Sequence, residues 1–213
     1  MRGVALTQRK GGSGKTVLSH ALALGASWHD VPAYLMHTDN REPLKVNGRP
    51  YMYYDAREPE TLQTLVDAAI SVDGLCIIDS AGNRPEFDGW IAQYVDLVLI
   101  PVMPDPEDVK EALVQMDVLE SQGAQNVRYL INNYPTSKVE RKYVERYLRQ
   151  IPLEKAMGWV GSVKAIRILR ENDDPVFRTP PSRVNNLSRS LYRQVRDALD
   201  NQLLRSDKIL EIL

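Results

Sequence analysis

A cluster of small and basic residues near the start of the chain has the composition of a phosphate-binding loop. Residues 10–16 read Lys-Gly-Gly-Ser-Gly-Lys-Thr and come shortly after the apolar run Val4–Thr7. Glycines let a backbone turn tightly and direct several N–H groups at one point, where they can hold phosphate oxygens at the N-terminus of a following helix. The segment therefore predicts a site for a phosphorylated ligand.

The two residues that end this segment have separate expected roles. Lys15 supplies positive charge for the β- and γ-phosphates of a nucleotide, and the Thr16 hydroxyl is placed to ligate Mg²⁺. We therefore expect ATP and Mg²⁺ as ligands. A glycine-rich turn that only connects a strand to a helix is the alternative, but the order of strand, glycines, Gly-Lys-Thr and helix disfavours it. The expected phosphate-binding residues are Lys10, Gly11, Gly12, Ser13, Gly14, Lys15, Thr16 and Val17.

Strands and helices alternate along the rest of the chain. Apolar runs predict buried strands at 4–7, 33–37, 75–78, 95–102, 127–131 and near 159–160. Helices are predicted between and after them, at 16–27, 58–72, 108–121, 139–150 and 186–204. This order predicts an α/β fold, a doubly wound, mainly parallel sheet with helices on both faces. The 213 residues are enough for one such domain, spanning 1–213.

Polar residues follow several predicted strands, at the edge where ligands bind in sheets of this kind. Asp79 comes directly after four apolar residues, so we expect it near Mg²⁺. Asp39 likewise follows a predicted strand, where an aspartate can also cap a turn or helix. Asn132 or Asn133 could bond the adenine edge, or could only form a turn.

Basic residues are concentrated in the C-terminal third, about 138–213. This third holds 16 Lys/Arg against 10 Asp/Glu, whereas residues 1–137 hold 11 against 18. The asymmetry indicates an anionic partner, with a solvated basic face as the alternative. Arg189, Arg193 and Arg196 are spaced to share one face of a helix. The candidate residues for contact with a phosphate backbone are Lys164, Arg167, Arg170, Arg189, Arg193 and Arg196.

Cysteine and hydropathy patterns bear on the expected environment. Cys76 is the single cysteine, so the chain cannot form an internal disulfide, which fits a reducing cytoplasm. No apolar run approaches the roughly 20 residues of a transmembrane helix. The three histidines lack metal-ligand spacing, and Tyr51, Tyr53 and Tyr54 indicate packing or a partner contact.

The loop and two other segments resemble one protein family. Lys-Gly-Gly-x-Gly-Lys-Thr resembles the deviant Walker A motif of the ParA/MinD ATPases, a branch that tolerates Arg9 where the general pattern has glycine. The segment 77–82, Ile-Ile-Asp-Ser-Ala-Gly, resembles the family's Walker B strand, which implies that Asp79 is an outer-sphere partner of Mg²⁺. Residues 37–40 correspond to the family's Asp-x-Asp-Pro, so Asp39 is implied to orient the attacking water. His37 and Asn40 depart from that pattern.

The resemblance covers nearly the whole chain and is strongest to the small ParA-type partition ATPases. It implies catalytic roles for Lys10, Lys15 and Asp39, with Lys10 crossing a homodimer interface to the partner's nucleotide. The ATP-bound sandwich dimer is then expected to bind nucleoid DNA without sequence preference. It would partition plasmid or chromosomal DNA, or position another cargo, in a bacterial cytoplasm.

The resemblance also implies slow ATP hydrolysis that a centromere-binding or adaptor protein accelerates. Three alternatives stay open: a MinD-like membrane-associated positioning ATPase, a DNA-transfer accessory ATPase, and a ligase-type metabolic enzyme that shares the loop. The chain end at 203–213 is apolar in part, but Asp207 and Glu211 interrupt it. A membrane-binding helix is therefore not the favoured interpretation.

Overall fold

Seven strands form one sheet in the computed structural model, which describes residues 1–44, 48–82, 85–170 and 181–210. The strands are β1 Arg2–Leu6, β2 Ala33–His37, β3 Met52–Asp55, β4 Leu75–Asp79, β5 Leu97–Val102, β6 Val127–Tyr134 and β7 Ala156–Gly161. Their order is β3-β2-β4-β1-β5-β6-β7, and every neighbouring pair is parallel. The predicted doubly wound sheet is confirmed, and its described pairs are parallel throughout.

Helices connect the strands and cover both faces of the sheet. The α-helices are α1 Lys15–Ser27, α2 Pro59–Ile70, α3 Pro85–Tyr94, α4 Pro106–Ser121, α5 Lys138–Leu148 and α6 Ser182–Leu210. Two 3₁₀ helices, Leu153–Lys155 and Lys164–Arg170, flank β7. None of the helices in the described ranges is long and apolar enough to cross a membrane. The side chains of residues 202–210 and all of 211–213 lie outside the description, so the apolar chain end is not placed.

The sheet is buried on both sides because its central strands carry apolar residues at successive positions. Val4 and Leu6 of β1 pack in the cluster that α1 and α6 cover, whereas Ala5 packs in the cluster formed with α2 and α3. Alternate side chains of a strand point to opposite faces, so an uninterrupted apolar run fits a strand covered twice. This explains why the buried strands were predictable from the sequence.

The strand β1 lies at the point where the winding of the sheet reverses. Its neighbours are β4 on one side and β5 on the other. The chain leaves β1, builds β2 and β3 beyond β4, returns through β4 and then adds β5 to β7 on the other side. Connections on the two sides diverge at such a point and leave a crevice at the carboxyl ends of the strands. The loop after β1 therefore opens into this crevice.

Helix α1 is fixed by a close contact with α6. Gly25 in α1 has no side chain, and a Cβ at this position would lie 2.1 Å from the carbonyl oxygen of Ser188. The indole Nε1 of Trp28 donates a hydrogen bond to Asn185 Oδ1 at 2.9 Å at the end of α1. These contacts hold the helix whose N-terminus forms part of the crevice.

A buried polar cluster joins α1 to the segment before β3. Tyr51 Oη lies 2.8 Å from His20 Nδ1 and 2.8 Å from Arg49 Nη1, which donates to it. Because Tyr51 accepts from Arg49, its own proton is free to go to Nδ1, so His20 is neutral. Burial lowers the pKa of His20 well below its ordinary value, and Arg49 lowers it further. Tyr51 and Tyr53 are both buried, so the predicted packing role is confirmed for these two residues.

The lowered pKa of His20 predicts that acid destabilises the fold. The unfolded chain binds a proton near pH 6.5, whereas folded His20 resists it, so the contribution of His20 to stability is lost as pH falls. Between pH 7 and 5 the wild-type free energy of unfolding should fall faster than that of His20→Gln, by up to about 1.4 kcal/mol per pH unit. Urea denaturation at each pH measures the difference, with His29→Gln as the control. Parallel curves for wild type and His20→Gln would refute a buried neutral His20.

Candidate nucleotide-binding site

A cavity of about 900 Å³ opens at the carboxyl ends of the strands, at the crevice beside β1. One wall is the glycine loop and the first turn of α1, and another is the 3₁₀ helix Lys164–Arg170. Asp39 after β2 and Asn132 and Asn133 of β6 also line it. The structure thus brings together the predicted loop, hydrolytic and adenine-binding residues.

The loop ends in a turn that glycine alone fits. Gly14 caps α1 with φ 99°, a left-handed conformation, and its carbonyl oxygen accepts the first helical hydrogen bond from Leu18 N at 2.9 Å. A Cβ on Gly14 would lie 2.2 Å from Asn132 Nδ2. That same amide donates to the carbonyl oxygen of Ser13 at 2.9 Å. Asn132 therefore holds the loop in place, and its predicted adenine contact stays a prediction.

Lys15 lies at the end of the glycine loop and lines the cavity. Its Nζ donates a hydrogen bond to the carbonyl oxygen of Gln8 at 2.7 Å. Burial lowers the pKa of Lys15, and Asp79, Asp88 and Asp39 oppose that effect. The carboxylates favour the charged form of Lys15, and a positive charge partly removed from water can bind and stabilise phosphate oxygens.

Lys10 lies on the other side of the loop and binds carboxylates at the start of α4. Its Nζ is 3.0 Å from Glu107 Oε2, 3.6 Å from Asp105 Oδ1 and 3.8 Å from Asp108 Oδ1. The hydrogen bond to Glu107 raises the pKa of Lys10, and Asp108 and Asp105 add to this. Burial raises the pKa of Asp108 in turn. The two lysines of the motif are thus held apart in separate environments.

Asp79 is buried at the end of β4. Its Oδ1 accepts a hydrogen bond from Ser19 Oγ at 3.4 Å, whereas its Oδ2 has no hydrogen-bond partner among the described residues. Thr16, one helical turn before Ser19 in α1, lines the cavity. A hydroxyl and a carboxylate oxygen are donors that Mg²⁺ prefers, so this pair fits the expected ion.

His37 occupies the position of the first acidic residue in the family pattern and faces Asp79. Its Nε2 lies 3.0 Å from the carbonyl oxygen of Arg41, so Nε2 carries a proton. Its Nδ1 lies 3.8 Å from Asp79 Oδ2, too far for a hydrogen bond but near enough for electrostatic attraction. Burial lowers the pKa of His37, but Asp79, the Arg41 carbonyl and Asp39 outweigh it and raise the pKa above its ordinary value.

Asp39 is positioned differently from Asp79. Its side chain is 22% exposed and lines the cavity. The backbone N–H of Arg41 donates to Asp39 Oδ1 at 3.2 Å, which orients the carboxylate. A partly exposed carboxylate at the cavity wall can contact water, as a residue that orients a nucleophile must. Its role in hydrolysis stays a prediction.

A buried network that the sequence did not predict links three elements beneath the site. Asp88 in α3 accepts hydrogen bonds from Thr7 Oγ1 at 2.8 Å and from Ser80 Oγ. Gln115 of α4 donates to Thr7 Oγ1 at 3.3 Å, and the N–H of Gly82 donates to Ser80 Oγ at 3.3 Å. The network fixes the turn after β4 beside Lys15. No sequence signal marked Asp88, because α3 itself was not predicted.

The six predicted DNA-binding residues fall into two groups rather than on one surface. Lys164, Arg167 and Arg170 line the nucleotide cavity, together with Arg9 and Arg41. The other group, Arg189, Arg193 and Arg196, lies on α6, where the Arg189 guanidinium stacks over the Trp28 ring at 5.7 Å from its centroid. Arg41 was not predicted from the sequence as a site residue. Because Arg41 follows β2, an examination of the residues after every predicted strand would have identified it.

Known structures share this fold. The sequence matches no protein-family model and no curated protein sequence significantly. MinD from Aquifex aeolicus superposes with a TM-score of 0.72 at 16% identity, over 92% of this chain and 97% of that one. A ParA-family ATPase from Chlorobium tepidum gives 0.67 at 12% identity, over 90% and 97%. McdA from Cyanothece in complex with ATP gives 0.63 at 13%, over 94% and 96%.

These superpositions cover almost the full length of each chain. They confirm a P-loop fold of the ParA/MinD type, as the sequence resemblance predicted. At 12–16% identity they establish the fold and leave activity to be argued from the site.

The close approach of Gly82 to Lys15 predicts a variant that loses nucleotide affinity. A Cβ at Gly82, where φ is 77°, would lie 2.4 Å from the Gln8 carbonyl oxygen and 2.8 Å from Lys15 Nζ. Gly82→Ala should displace Lys15 and weaken ATP binding by about tenfold or more, since a charged hydrogen bond is removed. Isothermal titration measures this.

Gly123→Ala is the matched control. Its φ is 91°, but the added Cβ would meet nothing within 4 Å. Both variants carry a similar backbone strain, of about 1 kcal/mol. Only Gly82→Ala should lose affinity. Equal ATP affinity in the two variants would show that nucleotide binding does not depend on where Gly82 places Lys15.

Proposed function

We propose that this protein is a ParA/MinD-type ATPase, which binds ATP with Mg²⁺ between two protomers and hydrolyses it slowly. The observation that carries the proposal is the separation of the two lysines of the loop. Lys15 is half-buried and binds the Gln8 carbonyl oxygen, whereas Lys10 is held by carboxylates at the start of α4. Lys10 is thus not needed for phosphate binding within its own chain, and its ion pairs can be exchanged for the nucleotide of a second protomer.

The site residues have distinct tasks in this proposal. Lys15 and the backbone N–H groups of the glycine loop bind the phosphates and stabilise charge on the transferred phosphoryl group. Thr16 and Asp79 would hold Mg²⁺, which neutralises charge on the β- and γ-phosphates when bound. Asp39 would orient a water molecule for attack, which is a matter of positioning rather than of strong basicity.

Lys10 must exchange partners for the dimer to close. In the single chain it neutralises Asp105, Glu107 and the buried Asp108. To reach the nucleotide of a second protomer, Lys10 must leave these carboxylates. The three carboxylates therefore compete with the phosphates for the Lys10 ammonium group. The dimer is therefore favoured only where the nucleotide offers the stronger negative charge, which makes ATP the switch.

Three alanine variants separate the proposed roles. Lys15→Ala should abolish ATP binding, because the glycine loop loses the ammonium group that binds the phosphates. Lys10→Ala should bind ATP yet stay monomeric, and Asp39→Ala should bind and dimerise but hydrolyse ATP about 100-fold more slowly, since the nucleophile is no longer positioned. Nucleotide titration, light scattering and phosphate release report the three steps.

Lys110→Ala on α4 is the control, since it removes an exposed lysine near the start of the same helix. It should behave as wild type in all three measurements. A normal ATP-dependent dimer from Lys10→Ala would refute the cross-interface role. Wild-type affinity in Lys15→Ala would refute the nucleotide site itself.

The proposed output is sequence-independent DNA binding by the ATP-bound dimer, in the service of DNA partition or cargo positioning with an adaptor protein. Support comes from the basic C-terminal third and from α6, where Arg193 and Arg196 are exposed. One protomer offers few groups that can pair with phosphate, so its affinity is weak. A dimer doubles the number of these groups, which couples DNA binding to ATP.

Salt dependence tests the α6 surface. If the dimer neutralises about six phosphates, log affinity should fall against log salt with a slope of roughly −5. Arg193→Ala with Arg196→Ala should weaken binding on unrelated DNA sequences alike and flatten the slope by about one unit for each arginine–phosphate pair removed. Lys138→Ala with Lys142→Ala on α5 is the charge-matched control. Gel shifts with ATP and ADP that show no dependence on nucleotide or salt would reject the proposal.

Membrane association is the second candidate, and it needs a different measurement. The chain end that would provide an amphipathic anchor lies outside the described side chains. Sedimentation with anionic liposomes in the presence of ATP distinguishes a lipid-binding protein from a DNA-binding one. Sedimentation with liposomes and no DNA shift would favour the MinD-like alternative.

A further inference from the structure

Three cations line up along one wall of the nucleotide cavity. Lys164, Arg167 and Arg170 are three residues apart in a 3₁₀ helix, and all three line the cavity. Such a helix has three residues per turn and rises about 2.0 Å per residue, so residues three apart are eclipsed. The side chains therefore form a basic column about 12 Å long, with a cation about every 6 Å.

The column is held rigidly from behind. Leu169, between two of the cations, is fully buried in the core beneath α1. Its carbonyl oxygen accepts a hydrogen bond from Arg49 Nη1 at 3.0 Å. The backbone that carries the cations is thus fixed to the same buried cluster as Tyr51. The backbone spacing of the column is therefore set by the fold, and its three side chains are exposed.

The charges of the column are not balanced within the described part of the protein. No carboxylate of the described residues forms an ion pair with Lys164, Arg167 or Arg170. Six cationic residues line the cavity, against Asp39 as the one acidic residue in the described lining. Like charges crowded in one cavity repel each other unless an anion enters.

The triphosphate at the glycine loop does not account for this excess. In the proposed function, Lys15 and the backbone N–H groups would bind it, and Mg²⁺ would cancel part of its charge. The column lies on another wall, beside the first turn of α1 rather than in the loop. Its cations are therefore left for a second negative group within reach of a ligand bound at the loop.

We propose that Lys164, Arg167 and Arg170 form a second anion subsite, which binds a phosphate group in addition to the triphosphate at the glycine loop. The inference builds on the proposed nucleotide site and extends it. Two sources have the required chemistry: a phosphate on the ribose of the same nucleotide, or a separate small phosphate compound beside it. Arginine guanidinium groups suit either, since they bind phosphate through paired N–H donors.

Titrations with defined probes separate the two sources. The first arm compares ADP with ADP that carries a 2′- or 3′-phosphate, each with Mg²⁺. The second arm titrates inorganic pyrophosphate into protein saturated with Mg²⁺ and ADP. The variants are Arg167→Gln with Arg170→Gln, and Lys164→Gln alone. Lys138→Gln with Lys142→Gln on α5 is the control, because it removes the same charge from exposed residues outside the cavity lining.

A second phosphate should raise affinity about tenfold or more in wild type and in the control, since charged hydrogen bonds are added. The advantage should vanish in Arg167→Gln with Arg170→Gln, shrink in Lys164→Gln, and weaken with salt. A preference in the first arm identifies a phosphorylated nucleotide, and pyrophosphate binding in the second identifies a separate ligand. Either result supports the subsite.

Three results have other meanings. Equal affinity for all nucleotides, with no pyrophosphate bound beside ADP, would overturn the subsite. Loss of DNA binding in Arg167→Gln with Arg170→Gln, at an unchanged nucleotide preference, would also overturn it and assign the column to nucleic acid. If wild type binds pyrophosphate through the column but binds no ADP, the subsite stands and the proposed ATPase function fails.

Discussion

The left-handed turn at Gly14 is the constraint on which the rest of the site depends. It directs the loop N–H groups and the α1 N-terminus toward the same point, where the helix dipole adds favourable potential for phosphate. Asn132 fills the space that a side chain on Gly14 would occupy and ties β6 to the loop. The other end of α1 is fixed by the contact of Gly25 with Ser188. A helix held at both ends cannot move away from its ligand.

The charged residues around Lys15 are the second feature on which the site depends. Lys15 lies among Asp79, Asp88 and Asp39, which offset the cost of burying an ammonium group. Asp88 is satisfied by hydroxyl donors, whereas one oxygen of Asp79 is left without a hydrogen-bond partner in the described structure. An unsatisfied buried carboxylate oxygen is unfavourable in the empty protein and becomes useful once a cation approaches it. Such preorganisation favours the bound state over the free one.

The sequence predicted the features that local pattern determines. The loop, Asp39 and Asp79 follow apolar strands whose two buried faces make them recognisable. The structure brings the loop and Asp39 to one cavity and places Asp79 buried at the end of β4. The sequence did not predict β3, a four-residue edge strand with exposed ends, or α3, a ten-residue helix. The contacts of Lys10 could not be predicted either, because its carboxylate partners are about a hundred residues away and meet it only through the sheet order.

The charge composition of the chain predicted less about its ligands than the positions of the cations in the structure indicate. The basic excess after residue 138 indicated an anionic partner, yet it could not distinguish cations beside the nucleotide from those on α6. The distinction arises because residues 164–170 form a 3₁₀ helix, whose threefold repeat directs every third side chain to the cavity. In an α-helix the same residues would be offset by about 60° from one to the next, so the row of cations would run obliquely across one face instead of straight along the axis. The helix type over these seven residues therefore sets how the positive charge is presented to the cavity.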